Sequence, residues 1–193
     1  MNKKERNDLI ISWLTLSAAF ALVLSDGLLG ILIFPIAFPI AAIGVGTGFI
    51  FHELAHRQVA RHFGAHAEFR AWKTGLIFSI ILPIITFGRF LFAAPGAVYI
   101  YGPNLSVKEN GIISVAGAVV NILVAMGFLL LSFLLAPESF FWVIVVWGSK
   151  INFFLAWFNL LPVFVLDGAK VFAWNKTVWA VAFVIASIGA FIL

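Results

Sequence analysis

Apolar residues run in long blocks along this chain, and polar residues collect in short intervals between them. Leu9–Leu24 is the first block, and Asp26-Gly27 closes it with a turn. Residues 28–64 form a second block, longer than one bilayer crossing needs. Pro35 and Pro39 interrupt it, and Gly44, Gly46 and Gly48 follow at two-residue steps. The pattern predicts a bent start over Phe34–Pro39, then a helix from Ile40 to Phe63. Gly75–Phe92 is apolar but holds Pro83 centrally and Arg89 near its end, so it fits a single span or a hairpin turning near Pro83. Ala94–Pro103 sets turn residues around a β-branched and aromatic core and predicts a short strand over Ala97–Tyr101. Beyond the polar interval Asn104–Asn110, Gly111–Ala136 reads as a span and Pro137-Glu138-Ser139 as a turn with a helix start. Phe140–Val165 reads as another span, Lys170–Lys176 as a polar break with Trp174 at interfacial depth, and Thr177–Leu193 as a last apolar segment.

Composition turns these blocks into a class. Of 193 residues 63% are hydrophobic and 10% charged, more apolar surface than a soluble domain of this size hides. The expected fold is an all-α polytopic membrane protein: about five transmembrane helices, a re-entrant or interfacial hairpin, and a short cytoplasmic-side β element. One domain, 1–193, holds them all. The net charge of +4 comes from basic residues scattered at segment ends rather than clustered with aromatics. That pattern excludes nucleic acid as the expected partner and fits the inner ends of membrane segments. Lys3, Lys4 and Arg6 place the N-terminus in the cytoplasm. The same flank suits a signal peptide, but Ala19-Phe20-Ala21 lies inside the apolar run instead of after it, so the segment is expected to be retained. Cysteine is absent, which excludes disulfides and thiolate metal sites.

Chemistry concentrates at Phe51-His52-Glu53-Leu54-Ala55-His56-Arg57, which reads H-E-x-x-H. On a helix His52 and His56 stand one turn apart on one face, so both imidazoles reach one metal ion. Glu53, about 100° round the helix, can act on a water held there. Two neutral imidazoles and one carboxylate suit zinc and leave a fourth position for water. The third ligand must come from His62, His66, Glu68, Asp26 or Asp167. His62 has the spacing of an H-E-x-x-H-x-x-G-x-x-H motif, but Val59 stands where that motif needs a helix-breaking Gly. The helix then continues and carries His62 off the face. His66 and Glu68 follow Gly64 and read as solvated loop groups, and Asp26 lies one crossing away on the outer side. Asp167 ends a span and follows Asn159-Leu160-Leu161-Pro162; Pro162 breaks the helix, and Gly168 allows a turn that aims the carboxylate. Asn159 at membrane depth is unfavourable unless bonded or functional.

Three motifs together resemble the site-2-type intramembrane metalloproteases: His52-Glu53-Leu54-Ala55-His56, Gly117-Ala118-Val119-Val120-Asn121, and Asn159-Leu160-Leu161-Pro162-Val163-Phe164-Val165-Leu166-Asp167-Gly168. The resemblance covers residues 40–170. It implies one Zn2+ per chain on His52, His56 and Asp167, with Glu53 as general base and Asn159 beside the active site, placed for substrate backbone or oxyanion. Asn121 matches a further element and serves either a helix–helix hydrogen bond or a substrate contact. Only one short segment follows Asp167-Gly168, where the family often has two or more spans.

The shared metal constrains topology. His52 and His56 lie near the cytoplasmic end of a helix running inward, so the span ending at Asp167 must run inward too. The chain between Gly64 and Gly111 therefore crosses an even number of times, which favours the hairpin at Gly75–Phe92 and puts Ala94–Asn110 on the cytoplasmic side. Lys150 falls mid-span, open to two readings: facing a water path to the metal, or snorkelling. The expected activity is hydrolysis of peptide bonds in or near transmembrane segments of membrane-protein substrates, with the active site opening to the cytoplasm. The alternative is a zinc-binding membrane protein without protease activity, a transporter or an inactive homologue.

Overall fold

A computed structural model describes residues 1–101, 104–163 and 166–193. The ends of two expected segments, Gly102-Pro103 and Phe164-Val165, lie outside the described residues. The chain is mostly helical, with one two-stranded sheet. Four helical stretches are long and apolar enough to cross a membrane: Lys3–Leu24 (α1), Phe34–His62, Val107–Ser132 (α5) and Phe140–Asn159 (α6). The second stretch is α2 (Phe34–Val45), a π-helical turn over Gly46–Ile50, and α3 (Phe51–His62). Shorter helices are α4 (Lys73–Ile85), α7 (Asp167–Trp174) and α8 (Lys176–Phe191). Strands β1 (His66–Ala71) and β2 (Gly96–Tyr101) pair antiparallel, with Phe69 opposite Val98.

The helix starts follow local chemistry. Asn2 caps α1 by accepting from the Glu5 N–H, Ser106 and Glu109 form a capping box on α5, and Ser139 caps α6 through the Trp142 N–H. Asp26 and Gly27 make the expected turn, both at positive φ. The irregularity in the second block is displaced from its expected place. Pro35 sits at the start of α2, where a missing N–H is harmless, and Pro39 is carried inside it. The break comes instead at the glycines. One extra residue in a π turn rotates the downstream helix by about 100° against the upstream one. Gly44 and Gly48 thereby face α6, where a Cβ would meet Ile151 at 2.7 Å and Leu155 at 2.7 Å respectively, while His52 faces α5. Side chains satisfy the carbonyls entering the turn: Trp13 Nε1 donates to Ala42 O (2.9 Å), Thr47 Oγ1 to Ile43 O (2.9 Å), and Asn152 Nδ2 to Gly44 O (3.1 Å).

The segment from Lys73 to Pro95 doubles back. It runs in as α4, turns where the Gly88 N–H meets Pro83 O (2.7 Å), and returns extended. Ser79 Oγ donates to Phe92 O (2.7 Å), and the Trp72 N–H to Pro95 O (2.8 Å), tying the return to the helix. The tip packs on the α1–α2 turn, where a Cβ on Gly27 would lie 2.9 Å from Phe87 Cα. Leu91, Ala93 and Ala94 are buried among α1, α2 and α6, so this non-helical backbone is largely enclosed by protein.

Two expectations are corrected. His66 and Glu68 lie in a strand, not a solvated loop; Ala67 and Phe69 alternate inward with them. The apolar run from Phe140 ends as a helix at Asn159, so Asp167 does not end a span but opens α7. Of the two readings open for Lys150, the structure places the residue exposed on the outside of α6, away from the cleft lining.

Candidate metal and active site

Four elements converge below the sheet. From α3 come His52 and His56, each 4% exposed, with ring centroids 4.5 Å apart. Asp167 arrives from the first turn of α7, and its Oδ2 lies 3.3 Å from His52 Nε2 and 2.9 Å from His56 Nε2. Gly168 sets that approach: a Cβ there would stand 2.1 Å from Leu160 O, so only a glycine lets α7 start against the end of α6. Helix α5 contributes the support. His52 Nδ1 pairs with Asn121 Oδ1 (3.1 Å) and His56 Nδ1 with Ile113 O (2.8 Å). Both partners are acceptors, so each Nδ1 carries the proton and each Nε2 presents a lone pair. Gly117, one turn from Asn121 and Ile113, forms the floor beneath His52, where a Cβ would meet the ring at 2.6 Å.

This donor set fits a zinc ion. One ligand atom from each of His52, His56 and Asp167 lies within 4.8 Å of the others. Two imidazoles with fixed tautomers and one carboxylate are the ligands zinc takes when a coordination position stays open. Glu53 lines the same cleft, and its Oε2 is buried with no hydrogen-bond partner among the described residues. Asn159 borders the cleft too; its Nδ2 donates to Leu155 O (3.0 Å), leaving a second N–H on that amide. Lys170 Nζ lies 3.4 Å from Asp167 Oδ1, the oxygen turned away from the histidines.

The cleft measures about 290 Å³, and Gly96–Ile100 of β2 forms one wall. Backbone parity decides what β2 offers there. Phe69 gives its N–H to Glu5 Oε1 (3.3 Å) on the far side of β1, so the Phe69–Val98 pair is not hydrogen-bonded across the ladder. By alternation Ala97 and Tyr99 bond to β1, while the N–H and C=O groups of Val98 and Ile100 point outward from the free edge.

The rejected ligand candidates lie elsewhere. His62 is exposed, its ring against Phe63. His66 Nε2 meets Glu68 Oε1 at 3.3 Å, and Glu68 also binds Arg70 and Asn2 Nδ2 (2.9 Å). The His66 hydrogen bond first, helped by the Arg70 charge, holds the Glu68 carboxyl below its ordinary range. Asp26 sits in the α1–α2 turn at the opposite end of α1. Sequence reasoning passed over the Ile113 carbonyl, which no side-chain motif marks, and the floor role of Gly117. The spacing Ile113-x-x-x-Gly117-x-x-x-Asn121, one helix face, was the available signal.

The fold and donor set define a class: helical, membrane-compatible proteins with an H-E-x-x-H metal centre completed by a distant aspartate. Within that class, the chain is 46% identical over 180 residues to a Methanocaldococcus jannaschii protein named "Putative zinc metalloprotease", covering 93% of this chain and 89% of that protein. The chain belongs to that protein's family. No family model matches it, and no solved structure does.

Proposed function

We propose that this chain is an intramembrane zinc metalloprotease that hydrolyses peptide bonds in or near the transmembrane segments of membrane-protein substrates. The observation that carries the reading is the convergence of His52, His56, Asp167 and Glu53 inside a bundle of spanning-length helices. The 46% identical zinc metalloprotease relative supports the metallohydrolase part. Zinc, when bound by His52, His56 and Asp167, supplies Lewis acidity toward a carbonyl oxygen and a water. Asn121 and the Ile113 carbonyl hold the two imidazoles in the tautomer that binds it. Glu53 accepts the proton of the attacking water and returns it to the leaving nitrogen; its Oε2, without a hydrogen-bond partner among the described residues, suits that exchange. Asn159 offers its second amide N–H to the substrate carbonyl as negative charge develops on it.

A substrate helix hides its carbonyls in its own hydrogen bonds, so the segment to be cut must unwind. The outward groups of Val98 and Ile100 supply partners for an extended substrate, which adds as a third strand. The cleft and the N-terminus face the cytoplasm. Lys3, Arg61, Lys73, Lys108 and Lys176 all lie at helix ends on the sheet side, against Arg89 alone at the other end.

The test is Glu53→Gln, with a substrate transmembrane segment in proteoliposomes. Hydrolysis falls by at least about a hundredfold, while zinc stoichiometry measured on the same preparation stays at wild-type level. Full hydrolysis by the Gln variant rules this mechanism out; a variant that still moves zinc across the vesicle identifies a transporter.

A further inference from the structure

Lys150 is a charge that the catalytic reading does not use. It is the eleventh residue of the 20-residue α6, about 15 Å along the axis from either end. The second spanning stretch repeats that depth: Ile151, the next residue, packs on Gly44, ten residues into α2. In a hydrocarbon core about 30 Å thick, Lys150 stands at the middle. A lysine stem reaches roughly 6 Å, short of both surfaces.

The side chain also points away from the bundle. Ile151 faces α2, Gly148 and Ser149 face Phe128 and Ala125 of α5, and Phe153 packs on Gly189 of α8. Lys150 lies on the remaining side and is exposed, beside Trp147, which is 37% exposed. Its Nζ sits 5.7 Å from the centre of the Trp147 ring. Among the described residues no carboxylate comes within 4.0 Å of it. A cation at this depth is unfavourable unless it is paired.

A second copy of the chain cannot provide the counter-charge. Of its eight acidic residues, Glu53 and Asp167 belong to the site, Asp26 and Glu138 to turns at one end, and Glu5, Asp8, Glu68 and Glu109 to the sheet end. None stands on an exposed mid-helix face. We propose that the Trp147–Lys150 face of α6 docks a transmembrane helix of a different protein, one that carries a carboxylate near the bilayer centre. Trp147 supplies the apolar shoulder against which that helix packs, and Lys150 the charge that selects it.

The cysteine-free chain allows a direct measurement. The full chain, labelled on one cysteine appended after Leu193, is placed in phosphatidylcholine vesicles with labelled synthetic Leu/Ala helices of about 21 residues. The helices carry a central Glu, a central Gln, a central Leu, or a Glu at one end, and association is read by energy transfer. The central-Glu helix is expected to bind about tenfold tighter than the other three. That preference disappears in Lys150→Met and Lys150→Gln, both checked for wild-type helical content, and persists in Lys150→Arg. Equal binding of all four helices overturns the proposal, as does a preference that survives in Met and Gln. Loss of the preference when phosphatidylglycerol is added assigns Lys150 to lipid headgroups and overturns it equally.

Discussion

Gly117→Ala tests the support beneath the proposed metal ligands with one methyl group. A Cβ at Gly117 would lie 2.6 Å from His52 Cε1 and Nε2 and 2.7 Å from Nδ1, where ordinary contacts begin at 3.4 Å. The imidazole or the α5 backbone must therefore yield by about 0.8 Å, against a tolerance of about 0.2 Å in zinc–ligand distances. The ring is held by Asn121 on Nδ1, and Asp167 faces its Nε2, so it has little room to retreat. Disturbing the support of a ligating histidine typically weakens metal binding ten- to a hundredfold, about 1.4 to 2.7 kcal/mol. A misplacement near 1 Å costs on the order of a hundredfold in turnover. The assay is zinc competition against a chromophoric chelator on the full chain, with hydrolysis measured beside it. Gly127→Ala is the control: it lies on the same helix, with nothing within 4 Å of the new methyl. Wild-type zinc affinity in Gly117→Ala, or an equal loss in Gly127→Ala, refutes the reasoning.

The β2 edge and the π turn give further tests. Val98→Pro deletes an outward N–H without touching the ladder to β1, so hydrolysis drops about tenfold or more while zinc stoichiometry and melting temperature stay put. Tyr99→Pro deletes a ladder bond instead and lowers the melting temperature; if both variants behave alike, the edge is not a substrate strand. Asn152→Leu removes the donor to Gly44 O (3.1 Å) and Gly148 O (2.8 Å) and leaves the π-turn carbonyl without that partner. Unfolding in a denaturant titration should move by about 1 to 3 kcal/mol toward instability, and unchanged stability would show that Thr47 alone suffices there.

What was legible in the sequence was chemistry that names its own partner. The H-E-x-x-H spacing defines a helix face, and that face needs a carboxylate within metal reach. The requirement implied that the chain between Gly64 and Gly111 doubles back, as α4 and the extended return do. Hydropathy was silent wherever apolarity continues through a change of backbone. It runs unbroken past Asn159, so the end of α6 was hidden, and it covers Gly46–Ile50 without marking a π turn. Strand β1 escaped because its inward positions Ala67 and Ala71 flank a single Phe69, too weak an alternation to stand out beside a basic helix end. The direction of Lys150 was equally hidden, since residues apolar all round a helix give no face to read.

Glycines set the close approaches on which the site depends. Gly44 and Gly48 let α6 lie close against the second span, Gly117 makes room for His52, and Gly168 brings Asp167 under Leu160. Each removes a side chain where two backbones, or a backbone and a ligand, must come closer than a methyl allows. Between Gly44 and the histidines, the π turn supplies the rotation that an ideal helix lacks. Without it, the face that packs on α6 and the face that meets α5 would be offset wrongly by about one residue, and His52 could not reach both Asn121 and Asp167. The geometry of the candidate metal site is therefore set by helix packing well away from His52, His56 and Asp167, which is why a substitution such as Asn152→Leu is expected to be felt at the site as well as in stability.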